Sequence, residues 1–194
     1  MTEENKRVAD YEIDPLYIKR WSTRAFADKE VDEETLYSLF EAARWAPSAA
    51  NVQPWRYIIA RTEEDRNTFL SFINDGNVVW CKHAPVLVAI VSRRTWKYGG
   101  EDLNPTHAFD TGTSWGFLAL EAARKNLVTH AMGGFNRKKA KEVLNIPEEY
   151  DIHAIVAIGY KGDKTELPES LQEREKASDR KKVSEFLFEG KFTE

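Results

Sequence analysis

The stretch Pro85-Val-Leu-Val-Ala-Ile-Val91 decides the fold, because it is an uninterrupted apolar run of strand length. A run of this kind predicts a strand that is buried on both faces. The segments His153 to Tyr160 and Trp55 to Ala60 predict two further strands. Helical periodicity surrounds these strands, so the sequence predicts a sheet covered by helices, in one domain that spans residues 1–194.

Amphipathic segments supply the predicted helices. Residues 32–43 combine an N-cap aspartate, acidic first-turn residues and an apolar stripe, and they predict a helix that ends before Pro47. Residues 64–73 and 137–144 predict two shorter helices. Loop signals occupy residues 75–77 and 96–105.

The segment 106–127 predicts a long helix with apolar or small side chains on most sides. A helix that is apolar nearly all round is expected to be buried all round. Its small residues Ala108, Gly112 and Gly116 lie four apart on one face, where a second helix could approach closely. A charged arm follows at residues 161–182, and it ends in an apolar tip that needs covering, for example by a second copy of the chain. The tip contains Phe186, Leu187, Phe188 and Phe192.

Composition and charge exclude several classes of protein. The chain has 194 residues, with 42% hydrophobic and 31% charged residues, and 28 basic against 32 acidic side chains give a net charge of -4. This balance argues against nucleic acid or an anionic membrane as a partner. No apolar run approaches the ~20 residues of a membrane span. With no secretion signal and one cysteine, Cys81, the chain is expected in the cytoplasm.

Familiar local motifs are missing from the sequence. It contains no G-x-G-x-x-G, G-x-x-x-x-G-K-[ST], H-E-x-x-H or G-x-S-x-G pattern. Its four histidines are scattered without the spacing of metal ligands, so we predict no metal site and interpret each as an ordinary polar or core residue. Cys81 is interpreted in the same way as a small buried hydrophobic residue.

A basic segment carries the first positive signal. Arg20, Ser22 and Arg24 alternate along the chain, so an extended backbone would point all three side chains to one side. Two guanidinium groups beside a hydroxyl form a good phosphate receptor. On spacing alone, a solvated basic segment remains the more ordinary interpretation.

The segment 47–55, Pro-Ser-Ala-Ala-Asn-Val-Gln-Pro-Trp, carries the second signal. Ser48, Asn51 and Gln53 offer a hydroxyl and two carboxamides, which can both donate and accept hydrogen bonds at the edge of a heterocycle. A plain connector rich in turn residues remains the alternative.

Two shorter features complete the candidates. Gly133-Gly134 would let backbone N–H groups approach a planar ligand, although a simple turn is the default interpretation. Arg180-Lys181-Lys182 is a basic triplet that, taken alone, is a solvated charge run.

Taken together, these motifs resemble the FMN-dependent nitroreductase family in order and spacing. The resemblance rests on R-W-S-T-R-A-F at residues 20–26, A-P-S-A-A-N-V-Q-P-W at residues 46–55, the A-P-V-L-V strand, G-G-F at residues 133–135 and the late basic cluster. It covers about residues 16 to 192. It implies an α+β fold with a central, mostly antiparallel sheet flanked by helices, and a homodimer that exchanges C-terminal arms and binds two FMN molecules at its interface.

The resemblance also implies a role for each motif. The FMN phosphate and ribityl chain would be bound by Arg20, Trp21 through its backbone, Ser22 and Arg24, and the phosphate site would be completed by Arg180 and Lys181 or Lys182. The partner subunit's flavin would be reached by Pro47, Ser48, Asn51 and Gln53. The ring would lie against Gly133 and Gly134. Trp21 and Ala49-Ala50 depart from the residues common in the family, so we expect fewer polar contacts near the ring.

The implied activity needs no catalytic side chain. NADH or NADPH would transfer a hydride to the flavin N5, and a nitroaromatic, quinone or activated alkene would then be reduced in the same slot, in a ping-pong cycle. Arg24 and the backbone N–H groups of Gly133 and Gly134 would stabilise the reduced flavin. Two alternatives stay open: other flavin chemistry such as dehalogenation or flavin fragmentation, and a non-catalytic flavin-binding or regulatory protein.

Overall fold

A four-stranded antiparallel sheet forms the centre of the protein. The structure is a computed structural model that describes residues 7–96 and 102–193. Its strands are β1 (Trp55–Ala60), β2 (Val86–Arg93), β3 (Leu127–Met132) and β4 (Tyr150–Tyr160), and their order across the sheet is β1-β2-β4-β3. The predicted α+β fold with an antiparallel sheet is confirmed.

Seven helices surround this sheet in the described part of the chain. Their bounds are α1 (Pro15–Lys19), α2 (Glu33–Arg44), α3 (Glu63–Leu70), α4 (Asp75–Cys81), α5 (His107–Arg124), α6 (Arg137–Val143) and α7 (Glu169–Gln172). Single 3-10 turns lie at Ala49–Asn51, Lys164–Glu166 and Val183–Glu185. None of the helices described is both long and apolar enough to cross a membrane.

Both faces of the sheet are covered, which explains the continuous apolar run in β2. Val86, Val88 and Ile90 pack with the buried face of α2 and α5. Leu87, Ala89 and Val91 face the opposite way, into a cluster that also contains Trp80 of α4 and Phe69 of α3. The predicted strand is therefore buried on both sides, between two layers of helices.

Local capping explains where several helices begin. The Asp32 carboxylate accepts a hydrogen bond of 2.8 Å from the backbone N–H of Thr35, so the predicted start of α2 is confirmed. Asn136 caps α6 in the same way, through the N–H of Lys139 at 3.0 Å. Helix α3 ends at Leu70, earlier than the predicted end at Ile73.

The prediction of a loop at residues 75–77 is wrong, because these residues form the first turn of α4. Asn74 takes the extended N-cap conformation and Asp75 supplies the acidic first-turn residue. Burial of Trp80 and Cys81 at the other end of the helix outweighs the turn-forming composition. Of the second predicted loop, residues 97–101 lie outside the described residues, and Thr95 pairs with Leu103 across them.

The expectation that the long helix is buried all round is wrong within one chain. Asp110, Ser114 and Leu118 of α5 are buried against α2 and the sheet. On another side of the helix, Phe109 is 77% exposed and Phe117 is 40% exposed. Ala108 and Gly112 are exposed there as well. Within the chain, α2 and the sheet cover only one side of α5, so an apolar face is left in solvent.

The C-terminal tip is exposed in the same way. Phe186, Leu187 and Phe192 are open to solvent, although the Phe188 and Phe192 rings contact each other at 4.9 Å. The backbone N–H of Val183 donates to the Asp10 carboxylate at 3.0 Å, so the beginning of the tip lies against the N-terminal segment.

Candidate functional site

The segment 20–26 that follows α1 has no regular secondary structure, and a single β-bridge joins Phe26 at its end to Lys161. Thr23 is 0% exposed, whereas Arg20, Ser22 and Arg24 are half-buried. Burial of the intervening Thr23 fits the prediction that the other three share a side. The ring of Trp21 is covered by the Lys161 amine, which lies 5.2 Å from the ring centroid.

Two arginines from opposite ends of the chain, Arg7 and Arg180, place their positive charges near Arg20. Burial lowers the pKa of Arg20, and the positive charges of Arg180 and Arg7 lower it further. Within the ranges described, no carboxylate forms an ion pair with Arg20. Arg7 and Arg20 are half-buried and Arg180 is exposed. A cluster of guanidinium charges of this kind is stabilised by an anion such as phosphate.

Arg7 was missed by the sequence analysis. Its guanidinium donates hydrogen bonds to the carbonyl oxygen of Ile18 and, at 3.1 Å, to that of Arg20. Arg7 therefore fixes the backbone at the start of the segment 20–26, and its positive charge also acts on Arg20. No local sequence signal marks it, because its position depends on the fold of residues far along the chain.

Arg180 joins the cluster, whereas its lysine neighbours do not. The Arg180 guanidinium bonds to the carbonyl oxygens of Ser178 and Asp179 and to the Ser178 hydroxyl, at 3.0–3.3 Å. Lys181 and Lys182 are exposed, and in the described part of the chain neither amine makes a hydrogen bond or an ion pair. The choice between these two lysines stays a prediction.

Arg24 lies beside a buried carboxylate. Its pKa is lowered by burial and by the charge of Arg174, while Glu175 acts in the opposite direction. The Nη1 atom of Arg24 is 3.9 Å from Oε2 of Glu175. The charge of Arg24 is thus partly matched within the protein, which leaves Arg20 as the less compensated cation.

His130 is hydrogen-bonded to the middle of the segment 20–26. Its Nδ1 atom lies 2.9 Å from the carbonyl oxygen of Thr23, so this nitrogen carries a proton and donates. The imidazole packs on Trp80 with 4.5 Å between ring centroids, and burial lowers the pKa of His130. A neutral histidine therefore fixes this segment at its centre.

The loop before β1 is tightly bonded and carries unusual backbone angles. The Ser48 hydroxyl accepts a bond of 3.0 Å from the Gln53 N–H, and the Gln53 carboxamide donates to that of Asn51 at 2.9 Å. Ala50, Asn51 and Gln53 have φ angles of 48°, 54° and 50°. Left-handed non-glycine residues that cluster in this way often mark functional sites.

Gly133 and Gly134 follow β3 and lie beside two asparagines. The carbonyl oxygen of Gly134 accepts bonds from the Asn74 N–H at 3.0 Å and from the Asn77 carboxamide at 3.2 Å. A Cβ at Gly134 would lie 2.6 Å from Asn77 Nδ2, whereas a Cβ at Gly133 would meet nothing within 4 Å. Gly134 is thus needed for packing, and Gly133 borders open space.

The loop and the glycine pair lie at the same end of the sheet but at opposite edges. The strand pairs put Met132 level with Ile58 in the middle of β1, and β3 runs antiparallel to β1, so β3 ends toward the end of the sheet at which β1 begins. Three strand spacings, about 14 Å, separate the two edges. Within one chain, the loop of residues 47–53 and the surface beside Gly133 are therefore separate, and the structure does not bring them together.

Two of the histidines meet at a buried serine, which the sequence analysis did not anticipate. The Ser92 hydroxyl lies 2.6 Å from both His107 Nδ1 and His153 Nε2. Burial lowers the pKa of His153, and His107 lowers it further. Among the described residues, no group of His, Cys, Asp or Glu is arranged to hold a metal ion. Cys81 is buried, as predicted, and burial raises its pKa to about 12.

Known proteins resemble this chain in both sequence and structure. A protein of Ralstonia nicotianae, named as a candidate NADH dehydrogenase/NAD(P)H nitroreductase, is 23% identical over 173 residues, which cover 80% of this chain and 88% of its own. A solved structure described as an oxidoreductase containing FMN is 41% identical, with a TM-score of 0.93 and coverage of 100% of this chain and 99% of that one.

More distant structures share the fold alone. A nitroreductase family protein of Clostridium difficile superposes with a TM-score of 0.73 at 23% identity, over 94% of this chain and all of that one. An iodotyrosine deiodinase bound to FMN and 3-iodo-L-tyrosine superposes with a TM-score of 0.68 at 19% identity, over 91% and 98% of the two chains.

The fold and its helix-flanked antiparallel sheet define the class, and the family profile identifies it. The profile described as the Nitroreductase family matches residues 17–79 and 69–160. The chain therefore belongs to the nitroreductase family, and the resemblance inferred from its motifs is confirmed. The predicted class of enzyme, an oxidoreductase of the nitroreductase type, follows from this membership.

Proposed function

We propose that this chain is an FMN-dependent NAD(P)H oxidoreductase that reduces small planar acceptors such as nitroaromatics, quinones or activated alkenes. The observation that carries the proposal is that the charges of Arg7 and Arg180 both act on the half-buried Arg20, which has no paired carboxylate among the described residues. The 41% identical structure described as containing FMN supports the choice of cofactor.

The phosphate end of FMN fits this site. A phosphate monoester carries close to two negative charges, and guanidinium groups bind its oxygens through charge-assisted hydrogen bonds. Arg20 and Arg180 would supply these donors, and Ser22 would add a hydroxyl from the same segment as Arg20.

The ring end fits the surface beside Gly133. Open space at the Gly133 Cβ position allows a flat group to lie against the backbone. Asn74 and Asn77 lie at the same place, and their carboxamides can donate to or accept from a heterocycle. The ring would thus rest between the end of β3 and the start of α4.

A second copy of the chain completes the site in this proposal. The loop with Ser48, Asn51 and Gln53 lies at the opposite edge of the sheet from Gly133, so it reaches a ring only on a partner subunit. The exposed apolar face of α5, with Phe109 and Phe117, is a suitable interface. The exposed C-terminal tip would be exchanged between subunits in the same homodimer.

FMN, when bound, supplies the redox chemistry by accepting a hydride from NADH or NADPH and passing two electrons to the acceptor. Arg24 and the Gly133-Gly134 backbone would balance negative charge near the ring. Gln53 and Asn51 would orient the ring edge of the partner subunit. Donor and acceptor would use the same open surface in turn, which gives a ping-pong cycle, and the expected location is the cytoplasm.

The decisive experiment is anaerobic titration of the purified yellow protein with NADH and NADPH. We expect bleaching of the flavin absorbance, return of the colour with a quinone or nitroaromatic, and release of FMN on denaturation, identified by mass spectrometry. Release of FAD would contradict the phosphate site. A flavin that neither nucleotide bleaches would favour a non-catalytic binding protein.

Other flavin chemistry is distinguished by its products. The fold is shared with an iodotyrosine deiodinase, so the same bleached protein should be offered a halogenated aromatic compound as well as a quinone. Release of halide without reoxidation by quinones would replace the proposed acceptor class with dehalogenation.

A further inference from the structure

The buried carboxylate of Glu175, in the C-terminal part of the chain, is hydrogen-bonded to the segment 20–26, which carries the proposed phosphate-binding residues. Glu175 follows α7 and is only 4% exposed. Its carboxylate accepts hydrogen bonds from the Thr23 hydroxyl, from the Arg24 N–H at 2.8 and 3.0 Å, and from the Ala25 N–H at 3.1 Å. Every one of these donors belongs to the R-W-S-T-R-A-F segment.

The two backbone donors show that the carboxylate shapes this segment. Successive N–H groups of an ideal strand point to opposite edges, yet those of Arg24 and Ala25 converge on the same Glu175 oxygen. Converging N–H groups form a concave anion-binding surface, which is filled here by a carboxylate of the protein itself. The segment therefore departs from regular strand geometry at Arg24, the last of the three motif residues.

The burial of Glu175 raises the cost of losing any of these bonds. A buried carboxylate is tolerated when its oxygens are hydrogen-bonded, and removal of its charge leaves the donors without an equivalent acceptor. The Thr23 hydroxyl, itself buried, has no solvent to replace the carboxylate. The carboxylate and the segment 20–26 are thus mutually dependent.

Glu175 also joins two parts of the anion site that are far apart in sequence. The segment that follows it carries Arg180, whose charge acts on Arg20. The hydrogen bonds between Glu175 and residues 23–25 fix the position from which the chain continues to Arg180. The carboxylate itself lies on the buried side of the segment 20–26, bonded to Thr23, so its contribution to an anion ligand is indirect.

We propose that Glu175 is a positioning residue for the phosphate of the bound cofactor, acting through the shape of residues 23–25 and the approach of Arg180. The inference rests on the proposed function. It makes a selective claim: loss of Glu175 weakens binding of a flavin with a phosphate, and leaves binding of a flavin without one nearly unchanged.

The test compares FMN with riboflavin, which lacks the phosphate, on the full-length apoprotein. In Glu175→Gln the side chain keeps its size but loses its charge and half of its acceptor capacity. We expect the Kd for FMN to rise about tenfold or more, which corresponds to one charge-assisted hydrogen bond. The Kd for riboflavin should change by less than about threefold.

A milder variant guards against misfolding of the first. Thr23→Val removes one donor to Glu175 and keeps the volume of the side chain, so it should raise the Kd for FMN by a smaller factor, with the same selectivity over riboflavin. The matched control is Glu121→Gln, which removes a carboxylate paired with Arg124 on α5, away from the segment 20–26. This control should bind both flavins as the wild type does.

The outcomes separate this inference from the proposed function. Equal weakening of FMN and riboflavin in Glu175→Gln and Thr23→Val, or no change for either ligand, would overturn the positioning role of Glu175 while FMN binding by the wild type stands. A wild-type protein that binds neither flavin would instead overturn the proposed function.

Discussion

Asp110 Oδ2 accepts a hydrogen bond of 3.2 Å from the backbone N–H of Ala49, which ties the first turn of α5 to the loop before β1. The same carboxylate accepts from the Thr106 hydroxyl at 3.0 Å. Phe109, on the adjacent position of α5, faces solvent. The helix that exposes the candidate interface is therefore the helix that holds the loop with Ser48 and Asn51.

Substitution of Phe109 by Asp should dissociate the proposed homodimer without unfolding the subunit. The side chain is exposed in one chain, so the change costs little within the subunit, but it places a charge in an apolar interface. We expect monomers by light scattering and loss of bound flavin. Val143→Asp, on α6, is the control for an added surface charge. A monomeric wild-type protein that retains FMN would contradict the interface site.

Arg20→Ala should weaken FMN binding strongly. One charge-assisted hydrogen bond contributes about 1.5 to 3 kcal/mol, or roughly 10- to 150-fold in Kd. Arg61→Ala removes a guanidinium paired with Glu33 directly after β1 and should leave the Kd unchanged. Fluorescence titration of the apoproteins measures both. An unchanged Kd for Arg20→Ala would show that Arg20 belongs to an ordinary solvated basic segment and does not bind the phosphate.

The two adjacent glycines should respond differently to alanine. Gly133→Ala places its Cβ in open space, so the free energy of unfolding should change by less than about 0.5 kcal/mol, while flavin binding weakens because the methyl group occupies the ring surface. Gly134→Ala drives its Cβ against Asn77 and should destabilise the apoprotein by about 1 kcal/mol or more. Urea unfolding and flavin titration separate the two effects. Tight FMN binding by Gly133→Ala would exclude a ring at this surface.

Acidification should destabilise the fold before the carboxylates are protonated. Burial lowers the pKa of His130 and of His153, whereas the unfolded chain regains the ordinary value of about 6.5. Between the folded and unfolded pKa values the unfolded state binds more protons, so the free energy of unfolding falls as the pH drops below about 6.5 and is constant with respect to these groups above about pH 7.5.

Urea unfolding at pH 7.5 and at pH 5.5 measures this dependence. His130→Gln keeps a donor for the Thr23 carbonyl and should reduce the loss of stability on acidification. His83→Gln, at an exposed histidine, is the matched control and should retain the full loss. Equal pH dependence in all three proteins would show that His130 contributes none of it.

Sequence reasoning was most successful where the signal is local. Asp32 caps α2 as expected because the cap involves residues only three apart, and the apolar run in β2 identifies a doubly buried strand by itself. Arg20, Ser22 and Arg24 were singled out on the same kind of local signal, their alternation along the sequence. Their role as cofactor ligands stays a prediction.

The missed residues depend on contacts between distant segments. Arg7 and Glu175 contact the segment 20–26 from opposite ends of the chain, and Ser92 joins His107 to His153 only because β2, β4 and α5 converge. The α4 helix was missed because burial of Trp80 outweighs the local preference of its first residues. Spacing rules carry no information on such contacts.

The left-handed residues of the loop before β1 have a consequence for how tightly a ligand can be held. Alanine, asparagine and glutamine lose less conformational freedom on folding than glycine does, and Ala50, Asn51 and Gln53 nevertheless occupy angles at which glycine would be unstrained. The loop therefore pays its strain when the chain folds, with Asp110 and Ser48 holding it in place. A ligand that docks against it meets a rigid, preorganised edge, so that little ordering entropy is left to oppose binding.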